Sequence, residues 1–319
     1  MRTASRFLLI TMILFTFSIT AYGGPETVYP ERPVTILIPY AAGGPVDIAT
    51  RTLIEAAKPY FPQSLIPLNK PGAGGAIATA ALIGSAPDGY TLCATTESLL
   101  CVKPHMEPGL PYKGPGDVQP IIGVYAAPSG FFSRADAPWK TWKELLEYVK
   151  ANPGKVRVGS AGTSTLIELE QVKRASKVDY IIVPFAGFSP TITNLLGGHT
   201  ELGLMTIGPA VPHVKAGNLR ALLVMHDKPL PAIDAPTMVE MGYETAPIPS
   251  RTVVVAPKGT PEQVVTILYN ALRKGVETEY YRKYAAKNMI VFEDRDPGEW
   301  ATFLQGRYTV LGKVIRELK

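Results

Sequence analysis

The residues with the clearest chemical potential lie in a short turn between an apolar run and a predicted helix. The run Val34–Ile38 predicts a buried strand, and the small residues at 41–44 let the backbone turn sharply and approach a ligand closely. Pro45 suits the first position of a helix, and Asp47 follows in the first turn with Arg51 four residues later as a partner. Such a helix N-terminus presents free N–H groups that can bind an anion without a cationic side chain. The same residues are also compatible with an ordinary strand-to-helix turn that binds nothing.

Small and hydroxyl residues recur where other predicted strands end. In the first half of the chain they follow the predicted strands 63–68 and 90–95, and in the second half they follow Val158 and the strand 178–185. Ligands of open α/β sheets bind at the carboxyl ends of the strands, so we expect these turns to form one binding region. The turn after Val158 leads into a helix for which Thr165 and Glu168 are candidate capping residues.

The composition argues against nucleic-acid binding and against a metal site. The formal net charge is +5, but the Lys and Arg residues are dispersed rather than gathered in basic runs. The histidines show no metal-ligand spacing and none lies in a strand-end turn, so we expect no metal and no cofactor. These histidines are His105, His199, His213 and His226.

Catalysis is not expected either, because no Ser/His/Asp arrangement with a nucleophile-elbow turn is visible. The two cysteines leave two alternatives open. Cys93 and Cys101 could form a disulfide in an oxidising compartment, or they could be two buried thiols. We favour the thiols, because Cys93 lies in a predicted strand and Cys101 just beyond it.

The N-terminus has the pattern of a secretory signal peptide over residues 1–23. Arg2 and Arg6 precede an apolar stretch at 7–21, and Ala21 and Gly23 supply the small residues that signal peptidase needs. The stretch is too short for a membrane-spanning helix, although an uncleaved anchor is the alternative. We therefore expect an exported, periplasmic protein.

Strands and helices alternate after the signal peptide, which predicts parallel α/β sheets. Two extended segments, 121–133 and 250–256, leave and re-enter the first body. We therefore predict two lobes, one formed by 24–124 plus 249–319 and the other by 125–248. Segments that cross between lobes in this way act as hinges around a ligand.

Several short motifs spread over almost the whole chain carry a resemblance to a known family. They are Tyr29-Pro30, Arg32-Pro33-Val34, Gly43-Gly44-Pro45-Val46-Asp47, Asn69-Lys70-Pro71-Gly72-Ala73-Gly74-Gly75, Pro87-Asp88-Gly89-Tyr90, Val183-Pro184-Phe185, Asn194-Leu195-Leu196-Gly197-Gly198, Lys215-Ala216-Gly217-Asn218-Leu219-Arg220 and Ala256-Pro257-Lys258-Gly259-Thr260-Pro261. Together they resemble the substrate-binding receptors of tripartite tricarboxylate transporters, the TctC or Bug family.

The resemblance implies an α/β protein with the type II periplasmic-binding-protein fold: two α/β lobes joined by a two-strand hinge, with a ligand cleft between them. It also implies a monomeric periplasmic receptor that binds a small carboxylate and delivers it to membrane permease subunits. A periplasmic sensor of the same fold is the alternative function, and a secreted hydrolase is a more distant one.

The resemblance also assigns the ligand loops. In the first lobe the matching positions are Ala41, Ala42, Gly43, Gly44, Pro45, Val46, Asp47, Ala73, Gly74, Gly75, Thr95 and Thr96; in the second they are Ser160, Ala161, Gly162, Thr163, Ser164, Phe185, Ala186 and Thr206. From the residues themselves we add Tyr40, beside the first loop, and Arg251. The N–H groups at 43–44 and at 162–163 are expected to face the cleft.

The chain departs from the family pattern at positions that bear on the ligand. Val46 stands where relatives carry Thr or Ser, and the segment after Gly162 lacks the usual serine cluster. Arg251 could replace the lost hydroxyl, because its planar fork matches a carboxylate; the alternative is a structural arginine paired with an acidic residue.

Apolar side chains near the predicted site indicate which carboxylate would fit. Tyr40, Val46, Phe185 and Phe188 would form an apolar wall, unless they pack in the core instead. We therefore expect a mono- or dicarboxylate with an apolar or aromatic body rather than citrate.

Overall fold

The computed structural model describes residues 29–185, 187–226, 229–230, 233–243 and 248–318. The predicted signal peptide, residues 1–23, and the predicted site residue Ala186 lie outside these residues. The described chain forms two five-stranded sheets with helices packed against them. We call the body built on the first sheet lobe 1 and the body built on the second sheet lobe 2.

The sheet of lobe 1 has the strand order β2-β1-β3-β10-β4. Its strands are β1 (Val34–Ile38), β2 (Leu65–Asn69), β3 (Thr91–Thr96), β4 (Val118–Ala127) and β10 (Ser250–Pro257). β1 is parallel to both β2 and β3, whereas β10 is antiparallel to β3 and β4. The run Val34–Ile38 has the predicted bounds.

The sheet of lobe 2 repeats this arrangement, in the order β7-β6-β8-β5-β9. Its strands are β5 (Ser129–Arg134), β6 (Arg157–Ser160), β7 (Ile181–Pro184), β8 (Leu202–Thr206) and β9 (Leu219–Met225). β6 is parallel to β7 and β8, and β5 is antiparallel to β8 and β9. β6 therefore occupies the place that β1 has in lobe 1, and β5 the place of β10.

In chain order the helices are α1 (Pro45–Ala57), α2 (Ala76–Ile83), α3 (Glu97–Cys101), α4 (Lys103–Met106), α5 (Trp142–Ala151), α6 (Thr163–Ser176), α7 (Phe188–Leu196), α8 (Ile207–Lys215), α9 (Glu262–Glu277), α10 (Glu279–Lys287) and α11 (Pro297–Leu318). α5 to α8 belong to lobe 2 and the others to lobe 1. Among the described residues, no helix has both the length and the apolar character to cross a membrane.

Both faces of the inner strands of the lobe 1 sheet are buried, which explains their nearly continuous apolar sequences. Ile36 and Ile38 pack in a core with residues of α1 and α9, whereas Leu37 packs with residues of α2 and α11. Successive side chains of a strand point to opposite faces, so one five-residue run supplies both cores. The sheet is thereby fixed between two layers of helices.

The chain passes between the lobes at two places. β4 ends at Ala127 in the first sheet and β5 begins at Ser129 in the second, so the first crossing lies at Pro128. The second crossing lies between Ile248 and the start of β10. The two sheets and two crossings confirm the predicted two-lobe α/β fold; the lobe limits 24–124 plus 249–319 and 125–248 stay a prediction.

Cys93 and Cys101 are free, buried thiols, as in the alternative that we favoured. Burial raises the pKa of both, that of Cys101 to about 12. The Cys101 thiol lies 3.4 Å from the carbonyl oxygen of Leu304 in α11. Both cysteines therefore serve in the core that joins the sheet to α11.

Candidate functional site

The first glycine turn connects β1 to α1, and its backbone conformation depends on glycine. Gly43 has a φ of +83°, while Gly44 is extended and caps α1 without any side-chain hydrogen bond. Pro45 occupies the first helical turn as predicted. The first N–H groups of an α-helix have no intrahelical acceptor, so this uncapped end can donate to an anion.

Asp47 holds this turn in place. Its Oδ2 accepts the N–H of Gly43 at 2.8 Å, and its Oδ1 accepts both Arg51 Nε and Asn69 Nδ2 at 2.8 Å. Asn69 Nδ2 also donates to the carbonyl of Tyr40 at 3.0 Å, which ties the turn to the end of β2. Burial alone would raise the pKa of Asp47, but these three hydrogen bonds hold it below its ordinary value.

These contacts refine the predicted roles in the turn. The Arg51 partnership is confirmed, but the N–H of Gly43 is committed to Asp47, which leaves later N–H groups for any anion. The side chain of Val46 is buried in the core of lobe 1. Direct ligand contacts by residues 41–47 stay a prediction.

The second turn of lobe 1 has consecutive residues with positive φ. Ala73, Gly74 and Gly75 have φ values of 47°, 62° and 100°, a conformation that groups successive N–H groups on one side of the backbone. A Cβ on Gly75 would lie 3.2 Å from Cβ of Pro39, so this turn packs against the first one. Lys103, a cation that no sequence motif marks, lies beside Gly74 and pairs with Glu107 at 2.5 Å.

The end of β3 separates the two predicted threonines. Thr95 pairs with Thr79 of α2 at 3.0 Å between hydroxyl oxygens. Thr96 lies on the opposite face, 3.3 Å from the hydroxyl of Tyr40 and 3.0 Å from that of Ser98. The structure therefore brings Thr96 and Tyr40 together and directs Thr95 toward α2.

The glycine turn of lobe 2 connects β6 to α6 and is held by hydroxyls instead of a carboxylate. Gly162 has a φ of +148° and caps α6 without a side-chain hydrogen bond. The hydroxyls of Ser160 and Thr165 lie 2.8 Å apart, and each is within hydrogen-bond distance of the carbonyl oxygen of Gly162, at 3.1 and 2.8 Å. Ala161 and Ser164 are partly exposed. For Thr163 only the backbone is described.

The remaining predicted positions of lobe 2 lie at the ends of β7 and β8. Phe185 donates its N–H to the backbone carbonyl of Ser160 at 2.9 Å, and its ring lies against Gly159. Thr206 pairs with Ser129 in the β5–β8 register and precedes α8. Phe188 packs against the core of lobe 2, which supports the core alternative for this residue.

Arg251 is engaged with protein carboxylates at the second crossing. Its Nε and Nη2 donate to Glu293 at 2.5 and 2.8 Å, and its Nη1 pairs with Glu97. Arg307 also donates to Glu97, at 2.6 Å. These pairs support the alternative of a structural arginine, because the guanidinium fork is occupied; a ligand contact by Arg251 stays a prediction.

Glu168 is a buried residue whose importance the sequence did not reveal. The sequence predicts Glu168 as a helix-capping residue, but α6 begins at Thr163 and Glu168 lies inside the helix. Its Oε2 accepts the hydroxyl of Ser129 at 2.5 Å and its Oε1 accepts the N–H of Ile248 at 2.8 Å. One carboxyl of lobe 2 thus contacts both crossings, and its burial raises its pKa to about 7.

Among the residues that the structure describes, no group of three or more His, Cys, Asp and Glu side chains is arranged to hold a metal ion. The chemistry of the predicted site is that of small residues, hydroxyls and helix N-termini. Such a set can bind an anion and cannot by itself activate a nucleophile.

Comparison with known proteins gives one family. A family model described as "Tripartite tricarboxylate transporter family receptor" matches residues 49–319. The protein BugT of Bordetella pertussis is 29% identical over 97% of this chain and 97% of its own length. A protein encoded in the gbd 5' region of Cupriavidus necator is 34% identical over 81% of this chain and 79% of its own length.

The fold is likewise similar to a solved structure. MatC from Rhodopseudomonas palustris, solved with bound malate, superimposes with a TM-score of 0.80 at 27% identity, over 90% of this chain and 100% of MatC. The similarity covers both lobes, since only a tenth of this chain lies outside it.

Proposed function

The chain belongs to the tripartite tricarboxylate transporter receptor family, and from this membership we propose that it captures a small carboxylate outside the cytoplasm and delivers it to the membrane subunits of a transporter. Proteins of this family are periplasmic solute-binding receptors and not enzymes. The malate in MatC supports a carboxylate as the ligand class.

The observation that carries the proposal is the repeated glycine turn. In each lobe the strand at the equivalent place of the sheet, β1 or β6, runs into a glycine turn and a helix that has no side-chain cap. We propose that each turn binds one end of the ligand, so that a ligand touching both turns stabilises the closed arrangement of the lobes.

The ligand is tested by calorimetry of the purified protein with malate, adipate, benzoate and citrate. We expect at least one of the first three to bind more tightly than citrate, because Tyr40 and Phe185 are partly exposed aromatic residues in or beside the proposed turns. Citrate as the tightest ligand would contradict this preference. Mass spectrometry of small molecules retained through purification would identify the natural ligand independently.

Closure is tested on the same ligand. A saturating ligand should raise the melting temperature by mass action and reduce the radius of gyration measured by solution scattering. An unchanged radius of gyration at saturation would contradict binding between the lobes. The expected monomer is checked by light scattering in the same samples.

We also propose that residues 1–23 are removed on export. Protein isolated from a periplasmic extract should begin at Gly24 when its N-terminus is sequenced. A mature chain that still contains residues 1–23 would support the uncleaved anchor instead.

A further inference from the structure

The segment 288–294, which we call the strap, joins α10 to α11 and belongs to lobe 1 at both ends. At its start, Ile290 donates its N–H to Ala285 in α10 at 2.9 Å. At its other end, Glu293 and Asp294 pair with Arg251 and Arg273. Both ends of the strap are therefore fixed to lobe 1.

The middle of the strap also pairs with the first crossing. Val291 and Ala126 exchange backbone hydrogen bonds of 2.9 and 3.2 Å, so the strap runs antiparallel to the last residues of β4. Val291 thus lies beside the first crossing through one isolated β-bridge, although the chain does not pass between the lobes there.

Side chains of the strap enter both lobes. Ile290 and Phe292 pack against the core of lobe 1, whereas Met289 packs against the core of lobe 2 that contains Phe132, Met205 and Ile207. Met289 has a φ of +56°, a conformation that residues with a side chain adopt at some cost in free energy. Its side chain is the part of the strap that connects to lobe 2.

Lobe 2 approaches the strap through the first turn of α8. A Cβ on Gly208 would lie 2.9 Å from the carbonyl carbon of Asn288 and would overlap its oxygen, so only glycine permits this approach. The same turn is tied to the first crossing, because Ile207 donates its N–H to the carbonyl oxygen of Pro128 at 3.0 Å. A rotation of the lobes that displaces α8 from the strap would therefore change the contact between Gly208 and Asn288.

We propose that Met289 and Gly208 are positioning residues that set the angle between the lobes, and with it the affinity for ligand. The second part of this statement rests on the proposed function, in which the ligand binds between the lobes. The first part concerns the ligand-free protein and holds or fails without any ligand.

The angle between the lobes is followed by pulsed electron spin resonance, which measures the distance between two spin labels. The labels are attached at Glu55→Cys in α1 and Glu147→Cys in α5. Both positions are exposed helical residues, one in each lobe, and the native Cys93 and Cys101 are buried, so labelling is selective. Gly208→Ala should shift the distance distribution, because the added methyl forces α8 away from the strap. Gly306→Ala, in α11 with no atom within 4 Å of the added Cβ, is the matched control and should leave it unchanged.

Substitutions at 289 separate the side chain from the backbone. Met289→Ala and Met289→Gly should both shift or broaden the distribution, and Met289→Leu should retain it, because leucine restores an apolar side chain in the core of lobe 2. Glycine relieves the positive φ. If the distance distribution changes in Met289→Ala but stays at that of the wild type in Met289→Gly, the effect comes from backbone strain, and the proposal is overturned. Met106→Ala, at an exposed methionine, controls for loss of a thioether.

Binding is measured on the same variants with malate as the probe. We expect Gly208→Ala and Met289→Ala to change the dissociation constant about fivefold or more, a typical allosteric coupling, while Met289→Leu and Gly306→Ala remain at the wild-type value. Absence of malate binding by the wild type would count against malate as ligand and leave the distance test intact. Wild-type distances in both Gly208→Ala and Met289→Ala, with each variant folded by its unfolding transition, would overturn the proposal.

Discussion

Each lobe carries a buried carboxylate on the helix that follows its glycine turn, and the two carboxylates are held in opposite ways. Asp47 of α1 accepts from a backbone N–H, an amide and a guanidinium, whereas Glu168 of α6 accepts from a hydroxyl and a backbone N–H. Burial raises the pKa of either group. The donors to Asp47 outweigh burial and lower its pKa, while those to Glu168 do not, so its pKa lies at about 7.

The difference teaches how each lobe fixes its turn. In lobe 1 the carboxylate itself shapes the turn and ties it to β2 through Asn69. In lobe 2 the carboxyl is used at the crossings, and the turn is held by the neutral hydroxyls of Ser160 and Thr165. We therefore expect the contribution of the lobe 1 turn to stability to require a charged Asp47 and to be lost in acid. In lobe 2 we expect the pH dependence of stability to come from Glu168 at the crossings.

The largest loss of stability is expected on substitution of Arg251, because this one buried side chain pairs with two carboxylates of lobe 1, Glu97 and Glu293. Arg251→Ala leaves Glu293 and Glu97 without one of their partners, which should lower the free energy of unfolding by about 3–5 kcal/mol. Arg251→Lys should recover only part of this loss, since an ammonium cannot donate in the bidentate geometry. Urea unfolding at neutral pH measures both.

The same variants test the ligand role predicted from the sequence. If Arg251→Ala still folds and binds the wild-type ligand within about threefold, which is under 1.4 kcal/mol, Arg251 acts only in the scaffold. An unfolding free energy within about 1 kcal/mol of wild type would contradict the structural role and its buried pairs.

The second prediction concerns pH at the crossings. The folded pKa of Glu168, about 7, lies above its ordinary value of 4.5, so its contribution to stability is fully present below pH 4.5 and is lost as the pH rises to 7. Glu168→Gln has no proton to lose. Its amide oxygen can accept the N–H of Ile248, and its amide nitrogen can donate to the Ser129 hydroxyl, which then accepts instead of donating.

The unfolding free energy of the wild type relative to Glu168→Gln should therefore fall by on the order of 3 kcal/mol between pH 4.5 and pH 8. Arg307 of α11, which acts on Glu168 through space, keeps its charge over this range. The check is urea unfolding of both proteins across that interval. A difference that does not change with pH would show that Glu168 titrates in its ordinary range.

The third prediction is the opposite pH dependence at the lobe 1 turn. Asp47→Asn keeps only one acceptor oxygen, so it cannot accept both from Gly43 and from Arg51 and Asn69, and it loses the charge that faces Arg51. We expect a loss of about 1–3 kcal/mol at neutral pH, the typical cost of leaving buried donors unsatisfied. Arg51→Ala, which removes only the more exposed partner, should cost less.

Acid titration separates Asp47 from Glu168. Because the pKa of Asp47 is lowered by folding, its contribution is present above the ordinary aspartate range and is lost as the pH falls through the folded pKa. The gap between wild type and Asp47→Asn should close in acid. A gap that widens in acid would mean that the carboxylate is not paired as described.

The local features of this fold could be predicted because the sequence carries them within a few residues. The apolar run of β1, the proline at the start of α1 and the pair Asp47–Arg51 all follow from periodicity and spacing. The two glycine turns could also be predicted, since each consists of small residues between an apolar strand and the start of a helix.

The long-range partners could not be predicted from one sequence. Glu168 meets Ser129 and Ile248 at separations of 39 and 80 residues, and Arg251 meets Glu293 and Glu97 at 42 and 154. No local pattern marks such pairs, because they arise only when the two sheets and α11 are assembled. The place of Arg251 in the sequence allows either a ligand contact or a structural pair with an acidic residue.

The smallest predicted effect is at the lobe 2 turn. Thr165→Val removes the hydroxyl that contacts both Ser160 and the carbonyl of Gly162, while Ser160 keeps its own bond to that carbonyl. We expect a loss of about 1 kcal/mol, typical of one neutral hydrogen bond, with no dependence on pH. The control is Thr302→Val in α11, whose exposed hydroxyl donates to the carbonyl of Gly298 at 3.0 Å and should matter less.

This substitution decides whether the two turns really differ in how they are held. A hydroxyl anchor confined to six residues should be replaceable at small cost, because the turn stays closed by Ser160 and by the packing of α6. If Thr165→Val instead destabilises the protein as much as Asp47→Asn, or if its effect changes between pH 5 and pH 8, the lobe 2 turn is not a neutral, local structure. Urea unfolding of both variants at those two pH values gives the answer.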